Sequence, residues 1–198
     1  LVIYNDNCPS EPFTTDVKFS IIPDQPALSA DPFYCVGDSI TITSSVAIPG
    51  ADYIWNTPLG INITQNPFIK ILNSSTIHKG GYSLIIATDE CGSNTSSTLE
   101  IDVRRKPQKA IINTNSPVCD GDTIIMNTNL LLGAQYQWSG QQVSGQNNHQ
   151  IIIPNARKEQ SGQYQVVITV DGCTSEISDA ANIVVKDSII IPVFTTSA

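Results

Sequence analysis

Charged side chains are scarce in this sequence, and basic ones are especially few. Lysine and arginine number 10 against 18 aspartates and glutamates, so the formal net charge is −8, and only 14% of the 198 residues are charged. Because nucleic acids are bound through clustered positive charge, we expect no nucleic-acid partner. The polar surface must come from serine, threonine, asparagine and glutamine, which suit exposed strands and loops better than helices.

Long apolar runs are also missing. No run approaches the 18 or so residues that cross a bilayer, so we expect no membrane insertion. The apolar residues 1–4 are too few for the apolar region of a signal peptide and are followed at once by polar residues 5–7. Any export signal is therefore expected to lie outside these residues.

Motifs for catalysis or cofactor binding are absent as well. The only two histidines, His78 and His149, stand in no known motif, and we expect both to lie in exposed loops. The carboxylates are scattered, and the sequence has no His-Glu-x-x-His, no glycine-rich phosphate loop and no Cys-x-x-Cys. We therefore predict that the chain is not an enzyme and has no catalytic residue and no cofactor.

The five cysteines follow a period of about 83 residues. Cys8, Cys91 and Cys173 are 83 and 82 residues apart, and Cys35 and Cys119 are 84 apart. Three further motifs keep this register: Cys35-Val36-Gly37-Asp38 with Cys119-Asp120-Gly121-Asp122, Tyr53-Ile54-Trp55 with Tyr136-Gln137-Trp138, and Gly80-Gly81-Tyr82 with Gly162-Gln163-Tyr164. The sequence is therefore a tandem repeat.

This register predicts the domain boundaries. Residues 26–108 and 109–187 are two complete repeats, and 103–108 reads as a short linker between them. Residues 1–25 are the C-terminal remnant of a preceding repeat, whose last strand is expected at 14–21. Residues 188–198 are the start of a following repeat, with its opening strand at 191–194.

The acidic cluster at 119–122 could offer oxygen ligands to calcium. Its counterpart at 35–38 has one carboxylate fewer, and a Gly-Asp turn before a strand explains both copies. We therefore predict a turn and no metal site.

Each repeat reads as short alternating strands separated by turn residues, which is typical of an all-β sandwich. Three features resemble the immunoglobulin superfamily: Gly-Asp-Ser/Thr before a strand, a tryptophan about eighteen residues later, and the Gly-x-Tyr-x-Val of residues 162–166. The resemblance implies tandem immunoglobulin-like β-sandwiches, with core residues Trp55, Trp138, Tyr82 and Tyr164, the tyrosines bonding to backbone as tyrosine corners. The alternative for the tryptophans is exposure for stacking on sugars. The cysteines of that family's core are missing, since Ser44, Leu84, Thr128 and Val166 occupy those positions.

The immunoglobulin topology also bears on the disulfides. It implies that Cys35 and Cys119 precede one strand at the bottom of a domain, while Cys91 and Cys173 follow a parallel strand at its top. A strand of about seven residues separates these ends by more than ~20 Å, and a disulfide needs Cα atoms within about 7 Å. The favoured pairing is therefore Cys35–Cys173 between repeats, with partners of Cys8, Cys91 and Cys119 outside this chain. The alternative is one bond within each repeat, Cys35–Cys91 and Cys119–Cys173.

The cysteine motifs Cys-x-Gly-Asp and Asp-x-Cys-x-Ser resemble the Ig-like and PKD-like repeats of large secreted surface proteins of Bacteroidota, including gliding and adhesion proteins exported by the type IX pathway. This resemblance implies an extracellular, non-catalytic structural or adhesive segment of a long surface protein or filament. Its partners would be neighbouring repeats of the same chain, with surface glycans or proteins bound by other regions. The alternatives are an accessory array of a secreted hydrolase and a eukaryotic Ig-type receptor ectodomain.

Glycosylation signals are ambiguous. The Asp-Ser/Thr-Ile triplets at Ser39, Thr123 and Ser188 resemble the O-glycosylation signal of Bacteroidota, although the first two coincide with the Gly-Asp turn. Asn62, Asn73 and Asn94 stand in the eukaryotic N-linked pattern, which arises freely in a chain this rich in asparagine, serine and threonine.

Overall fold

The computed structural model describes residues 1–16, 22–88, 91–143 and 145–188. Most of the strand expected at 14–21, and all of the strand expected at 191–194, lie outside these ranges. Within them the chain is built of β-strands and two 3₁₀ turns, Thr76–His78 and Lys158–Gln160, and contains no α-helix. These ranges hold no helix with the length and apolarity that crossing a bilayer requires.

The chain divides into two compact units. The first comprises Leu1–Asp31, Ile40–Ile71 and Ile77–Ile101, and the second comprises Pro32–Ser39, Leu72–Thr76 and Asp102–Ala198. Short segments of residues 26–108 therefore pack within the second unit. The repeat boundaries themselves remain a prediction from the sequence.

The strands up to residue 104 are mostly short. A hairpin near the N-terminus pairs β1 (Tyr4–Asn5) with β2 (Cys8–Pro9). The strands that follow are β3 (Leu28–Ser29), β4 (Tyr34–Cys35), β5 (Ile40–Ser44), β6 (Asp52–Thr57), β7 (Gly60–Thr64), β8 (Phe68–Ile71), β9 (Gly80–Thr88), β10 (Cys91–Gly92), β11 (Leu99–Ile101) and β12 (Val103–Arg104).

The first unit is a sandwich of two antiparallel sheets. One has the strand order β3-β5-β8, and the other has the order β10-β9-β6-β7 with β11 beside β9. Side chains alternate between buried and more exposed along β5, β6 and β9, as expected for sheets with one face on a core. The core contains Ile40, Ile42, Tyr53, Trp55, Ile69, Tyr82, Leu84 and Ile86.

The second unit repeats this plan with one strand fewer in its larger sheet. Its strands are β13 (Asn113–Thr114), β14 (Val118–Cys119), β15 (Ile124–Asn127), β16 (Gln135–Ser139), β17 (Gln150–Ile153), β18 (Gly162–Val170), β19 (Cys173–Thr174), β20 (Ala181–Ile183) and β21 (Val185–Lys186). The sheets have the orders β13-β15-β17 and β16-β18-β19, with β20 beside β18. The core contains Ile124, Met126, Tyr136, Trp138, Tyr164, Val166 and Ile168.

Two parallel strand pairs complete the second unit. β12 pairs with β4, so that Arg104 lies opposite Cys35, and β21 pairs with β14, so that Lys186 lies opposite Cys119. The interpretation of residues 103–108 as a linker was thus wrong for its first two residues. Val103 is apolar and 3% exposed, and its burial explains why the segment continues as a strand.

Candidate functional site

The aromatic residues singled out by the repeat lie in the two cores. Trp55 and Trp138 are 0% and 3% exposed, so neither indole presents a face to a sugar. The Tyr82 hydroxyl donates to the His78 carbonyl at 2.8 Å, and the Tyr164 hydroxyl donates to the Gln160 carbonyl at 2.7 Å. Burial raises the pKa of both phenols. Each tyrosine therefore closes a corner onto backbone four residues upstream.

The Gly-Asp motifs form the same turn in both repeats. The Cys35 amide donates to Asp38 Oδ2 and the Cys119 amide donates to Asp122 Oδ2, each at 3.0 Å. Gly37 and Gly121 lie between each cysteine and its aspartate and have φ of +93° and +92°, a backbone conformation that other residues rarely adopt. The aspartates thus cap turns that bring Cys35 and Cys119 to equivalent positions.

A disulfide joins Cys35 to Cys173. The two residues are 138 positions apart, their Cα atoms are 5.7 Å apart, and both are buried. Cys35 belongs to residues 26–108 and Cys173 to 109–187, so the bond links consecutive sequence repeats. Both cysteines lie in segments of the second compact unit.

The alternative pairs Cys35–Cys91 and Cys119–Cys173 do not form. Cys35 and Cys173 are bonded to each other, and Cys8, Cys91 and Cys119 are free among the described residues. Cys91 begins β10 and lies opposite Thr88 at the end of β9, whereas Cys35 ends β4 and pairs alongside β12. The pairs within a repeat are therefore wrong for Cys35 and Cys173.

A set of non-covalent contacts surrounds this disulfide, and we call it the clasp: Phe33, Arg104, Asp171 and Gly172. The Arg104 guanidinium carbon lies 4.1 Å from the centre of the Phe33 ring, in cation–π geometry. Arg104 also donates to the Asp171 carbonyl at 2.8 Å. A β-carbon on Gly172 would come within 2.5 Å of the Phe33 ring. The aromatic ring therefore rests directly on the loop that carries Cys173.

Two ion pairs support the same region. The Arg104 side chain meets Asp102 at 2.7 Å, and Lys106 meets Asp38 at 3.1 Å. The hydrogen bond from the Cys35 amide, assisted by Lys106, lowers the pKa of the Asp38 carboxyl below its usual value. Asp38 thus stays ionised, and its turn stays capped, to a lower pH than an ordinary aspartate would.

Sequence reasoning missed the clasp. Phe33, Arg104 and Gly172 are not repeated residues, since Pro117, Lys186 and Glu90 stand at the corresponding positions of the other repeat. Arg104 appeared only within the expected linker at 103–108. An aromatic residue two positions before one cysteine and a glycine directly before the other were the available signals.

The remaining candidate residues do not converge on a chemical site. His78 ends a 3₁₀ turn, and the His149 ring lies 6.3 Å from the Tyr136 ring, measured between centroids. Both histidines are half-buried, so the expectation that they are exposed was wrong. Asp120 pairs with Arg157 at 2.8 Å while Asp122 caps its turn. In the parts of the chain that the structure describes, no three histidine, cysteine or acidic side chains gather as a metal site would require.

The three candidate O-glycosylation residues lie beside the Gly-Asp turns or near the chain's end. Ser39 is exposed and Thr123 is half-buried. Ser188 is exposed, and its hydroxyl donates to the Asp120 carbonyl at 2.8 Å. Their modification stays a prediction.

Gly172→Ala tests the clasp. The added β-carbon meets the Phe33 ring at 2.5 Å and the residue has φ +83°, so we expect a loss of about 1–3 kcal/mol in unfolding free energy and slower formation of the Cys35–Cys173 bond. Urea unfolding and non-reducing peptide mapping during refolding measure the two effects. Gly133→Ala is the matched control, because Gly133 has φ +71° and open space around it. Equal effects of both changes would show that the Phe33 contact is unimportant.

These observations define the class of the protein. The paired antiparallel sheets, the buried tryptophan and the tyrosine corner recur in both units, so the chain consists of tandem immunoglobulin-like β-sandwiches. No family model matches the chain, and no curated protein matches it either.

Solved structures share this fold. A chain in the structure of a mouse coronavirus receptor-binding domain complexed with its murine receptor has 14% sequence identity and a TM-score of 0.50, with 78% of the present chain and 98% of that chain covered. Extracellular domains 3–5 of Drosophila OTK have 13% identity and a TM-score of 0.50, with 83% and 60% covered. Murine CEACAM1b has 14% identity and a TM-score of 0.46, with 81% and 98% covered. None of these comparisons supports an origin in Bacteroidota or the type IX pathway, which rests on the cysteine motifs alone.

Proposed function

We propose that this chain is a non-catalytic, load-bearing segment of a long extracellular surface protein, with a structural or adhesive role. The observation that carries this proposal is the Cys35–Cys173 disulfide between consecutive repeats. Structural disulfides persist in oxidising compartments such as the cell exterior, which supports an extracellular location. We expect the neighbouring repeats of the same chain to be its partners, because the bond joins residues from two sequence repeats.

The disulfide changes which residues carry tension. When the chain is pulled at its two ends, force passes from Cys35 directly to Cys173 through the sulfur atoms. Residues 36–172, which number 137, lie in a covalent loop outside this path. The loop contains β5 to β11 of the first unit and β12 to β18 of the second. Most strands of both sandwiches are therefore protected from unfolding by tension.

Single-molecule pulling between the first and last residues tests this role. With the disulfide intact, we expect no extension from residues 36–172. In Cys35→Ser, or after reduction, unfolding should release an additional contour length of about 450–490 Å, at 3.3–3.6 Å for each of the 137 residues. Cys119→Ser is the control, since Cys119 has the same turn but is free. Equal extension of the oxidised and reduced chains would contradict the proposal.

A eukaryotic Ig-type receptor ectodomain is the second candidate. It is supported by the fold that the chain shares with OTK extracellular domains and by the N-linked glycosylation pattern at Asn62, which is exposed on β7. A filament or adhesin of Bacteroidota, exported by the type IX pathway, is a narrower form of the first proposal. An accessory array of a secreted hydrolase has only the repeat to support it. The complete gene separates them. Many repeats with a C-terminal secretion domain would favour the adhesin or filament, a membrane helix the receptor ectodomain, and a catalytic domain the hydrolase array.

A further inference from the structure

The solvent-facing side of the larger sheet of the first unit carries a row of isoleucines. Tyr53 and Trp55 on β6 face the core, so Ile54 between them faces outward. Ile54 lies opposite Ile85 of β9 on one side and opposite Ile63 of β7 on the other. Ile63 and Ile61 are 60% and 72% exposed. This outer row is apolar surface without a cover among the described residues.

The second unit lacks this surface. At the position of Ile54 it has Gln137, opposite Val167 of β18. No described strand pairs with the other edge of β16, where the first unit has β7. The isoleucine row is therefore a property of the first unit and not of the repeat in general.

The row ends at an unprotected strand edge. β7 pairs with β6 alone among the described residues. Natural edge strands usually carry a lysine, a proline or a bulge that prevents pairing with another chain, but β7 (Gly-Ile-Asn-Ile-Thr) has no charge and no proline, and its five residues pair with β6 without a bulge. Residues 53–69 contain no charged side chain at all.

We propose that β7 is a self-association site, at which it pairs antiparallel with β7 of a second copy of this chain about a two-fold axis through Asn62. In this register Ile61 of each copy lies opposite Ile63 of the other, and Asn62 lies opposite Asn62. Directly opposed residues share a face of the sheet, so the isoleucine rows of the two copies become continuous. The interface is isologous, as a two-fold dimer requires.

The symmetric sequence of β7 selects a second copy as the occupant, because pairing about Asn62 places isoleucine opposite isoleucine with no charge at the contact. Each chain has a net charge of −8, so two copies repel each other over most of their surfaces. The uncharged stretch 53–69 is a place where strand edges can meet without charge repulsion. A charged partner would gain no ion pair on β7. This association uses only residues of the first unit and does not depend on the load-bearing role proposed above.

A pair of double variants tests the register. Sedimentation equilibrium of the chain carrying Cys8→Ser, Cys91→Ser and Cys119→Ser should show a concentration-dependent dimer. Adding Ile61→Lys with Ile63→Lys should weaken association about tenfold or more, because like charges then oppose each other across the axis. Ile61→Lys with Ile63→Glu should restore it, because each lysine then lies opposite a glutamate. A monomer at all concentrations, or equal association of the two double variants, would overturn the proposal.

Crosslinking locates the axis. Opposed Cα atoms in an antiparallel pair are about 4.5–5.5 Å apart, which suits a disulfide. Asn62→Cys in the same triple-serine background should therefore oxidise to a covalent dimer, and the two lysines at positions 61 and 63 should prevent this. Gln137→Cys is the matched control, as an exposed position on the equivalent sheet of the second unit, and should stay monomeric. Equal dimer yields at positions 62 and 137 would refute pairing through β7.

Discussion

Replacing Trp138 by alanine is expected to lower the unfolding free energy of the second unit by about 3–5 kcal/mol. The indole is 3% exposed among Tyr136, Val166 and the other core residues, so its removal leaves a cavity that strands held by hydrogen bonds cannot close. It also deprives the Asn148 carbonyl of the indole donor, which bonds to it at 2.8 Å. Urea unfolding followed by circular dichroism measures the loss.

The surface of the same unit provides the control for this substitution. Ile152 lies on β17 and is 57% exposed, so Ile152→Ala should change the free energy by no more than about 0.5 kcal/mol. The fluorescence of Trp55 reports separately on the first unit. A loss below about 1 kcal/mol for Trp138→Ala would contradict the core assignment.

The two tryptophans should differ when each is replaced by phenylalanine. Trp55 Nε1 is buried and has no hydrogen-bond partner within the described residues, whereas Trp138 Nε1 is bonded. Removing an unpaired buried donor recovers part of its desolvation cost, about 1–3 kcal/mol. We therefore expect Trp55→Phe to be milder than Trp138→Phe, by the same urea measurement.

Loss of the disulfide is expected to have the second large effect. Cys35→Ser should lower the unfolding free energy of the second unit by about 2–4 kcal/mol, toward the upper end because the cross-linked loop is long. The physical reason is that the unfolded chain has more conformational freedom when residues 35 and 173 are not joined, and this favours unfolding. Fluorescence of Trp138 in a Trp55→Phe background follows the transition of the second unit alone.

Chemical reduction and a second cysteine variant sharpen this experiment. Reduced wild-type protein should unfold at the same urea concentration as Cys35→Ser, because both lack the same bond. Cys119→Ser should unfold like the oxidised wild type, because Cys119 is exposed and free. A lower midpoint for Cys119→Ser would mean that the thiol contributes to the fold in another way.

The repeat made the sandwich fold predictable. Turn glycines, alternating strands and a tryptophan in fixed register are local signals, and each constrains the backbone wherever it occurs. β7 was not predicted because Gly60–Thr64 has no counterpart strand among the described residues of the second unit, so the repeat did not point to it. Its two isoleucines alternate with polar residues, but they face solvent and not the core.

The surroundings of the disulfide were harder to foresee than the disulfide. The strand directions implied by the immunoglobulin resemblance favoured bonding Cys35 to the next repeat, because the two ends of a strand lie too far apart for a bond. The contact of Phe33 with Gly172 joins residues 139 positions apart, and no local pattern connects them. Such contacts depend on the tertiary fold and leave no periodic signal in the sequence.

The order in which the cysteines are synthesised gives the clasp another significance. Cys173 emerges 138 residues after Cys35, a delay of about 7–28 s at 5–20 residues per second. Cys91 and Cys119 emerge within that interval. If Cys35 bonded to the first cysteine that follows it, the wrong disulfide would form. Phe33 and Gly172 pack against each other beside Cys35 and Cys173, so we expect this contact to favour the latest of the possible pairings.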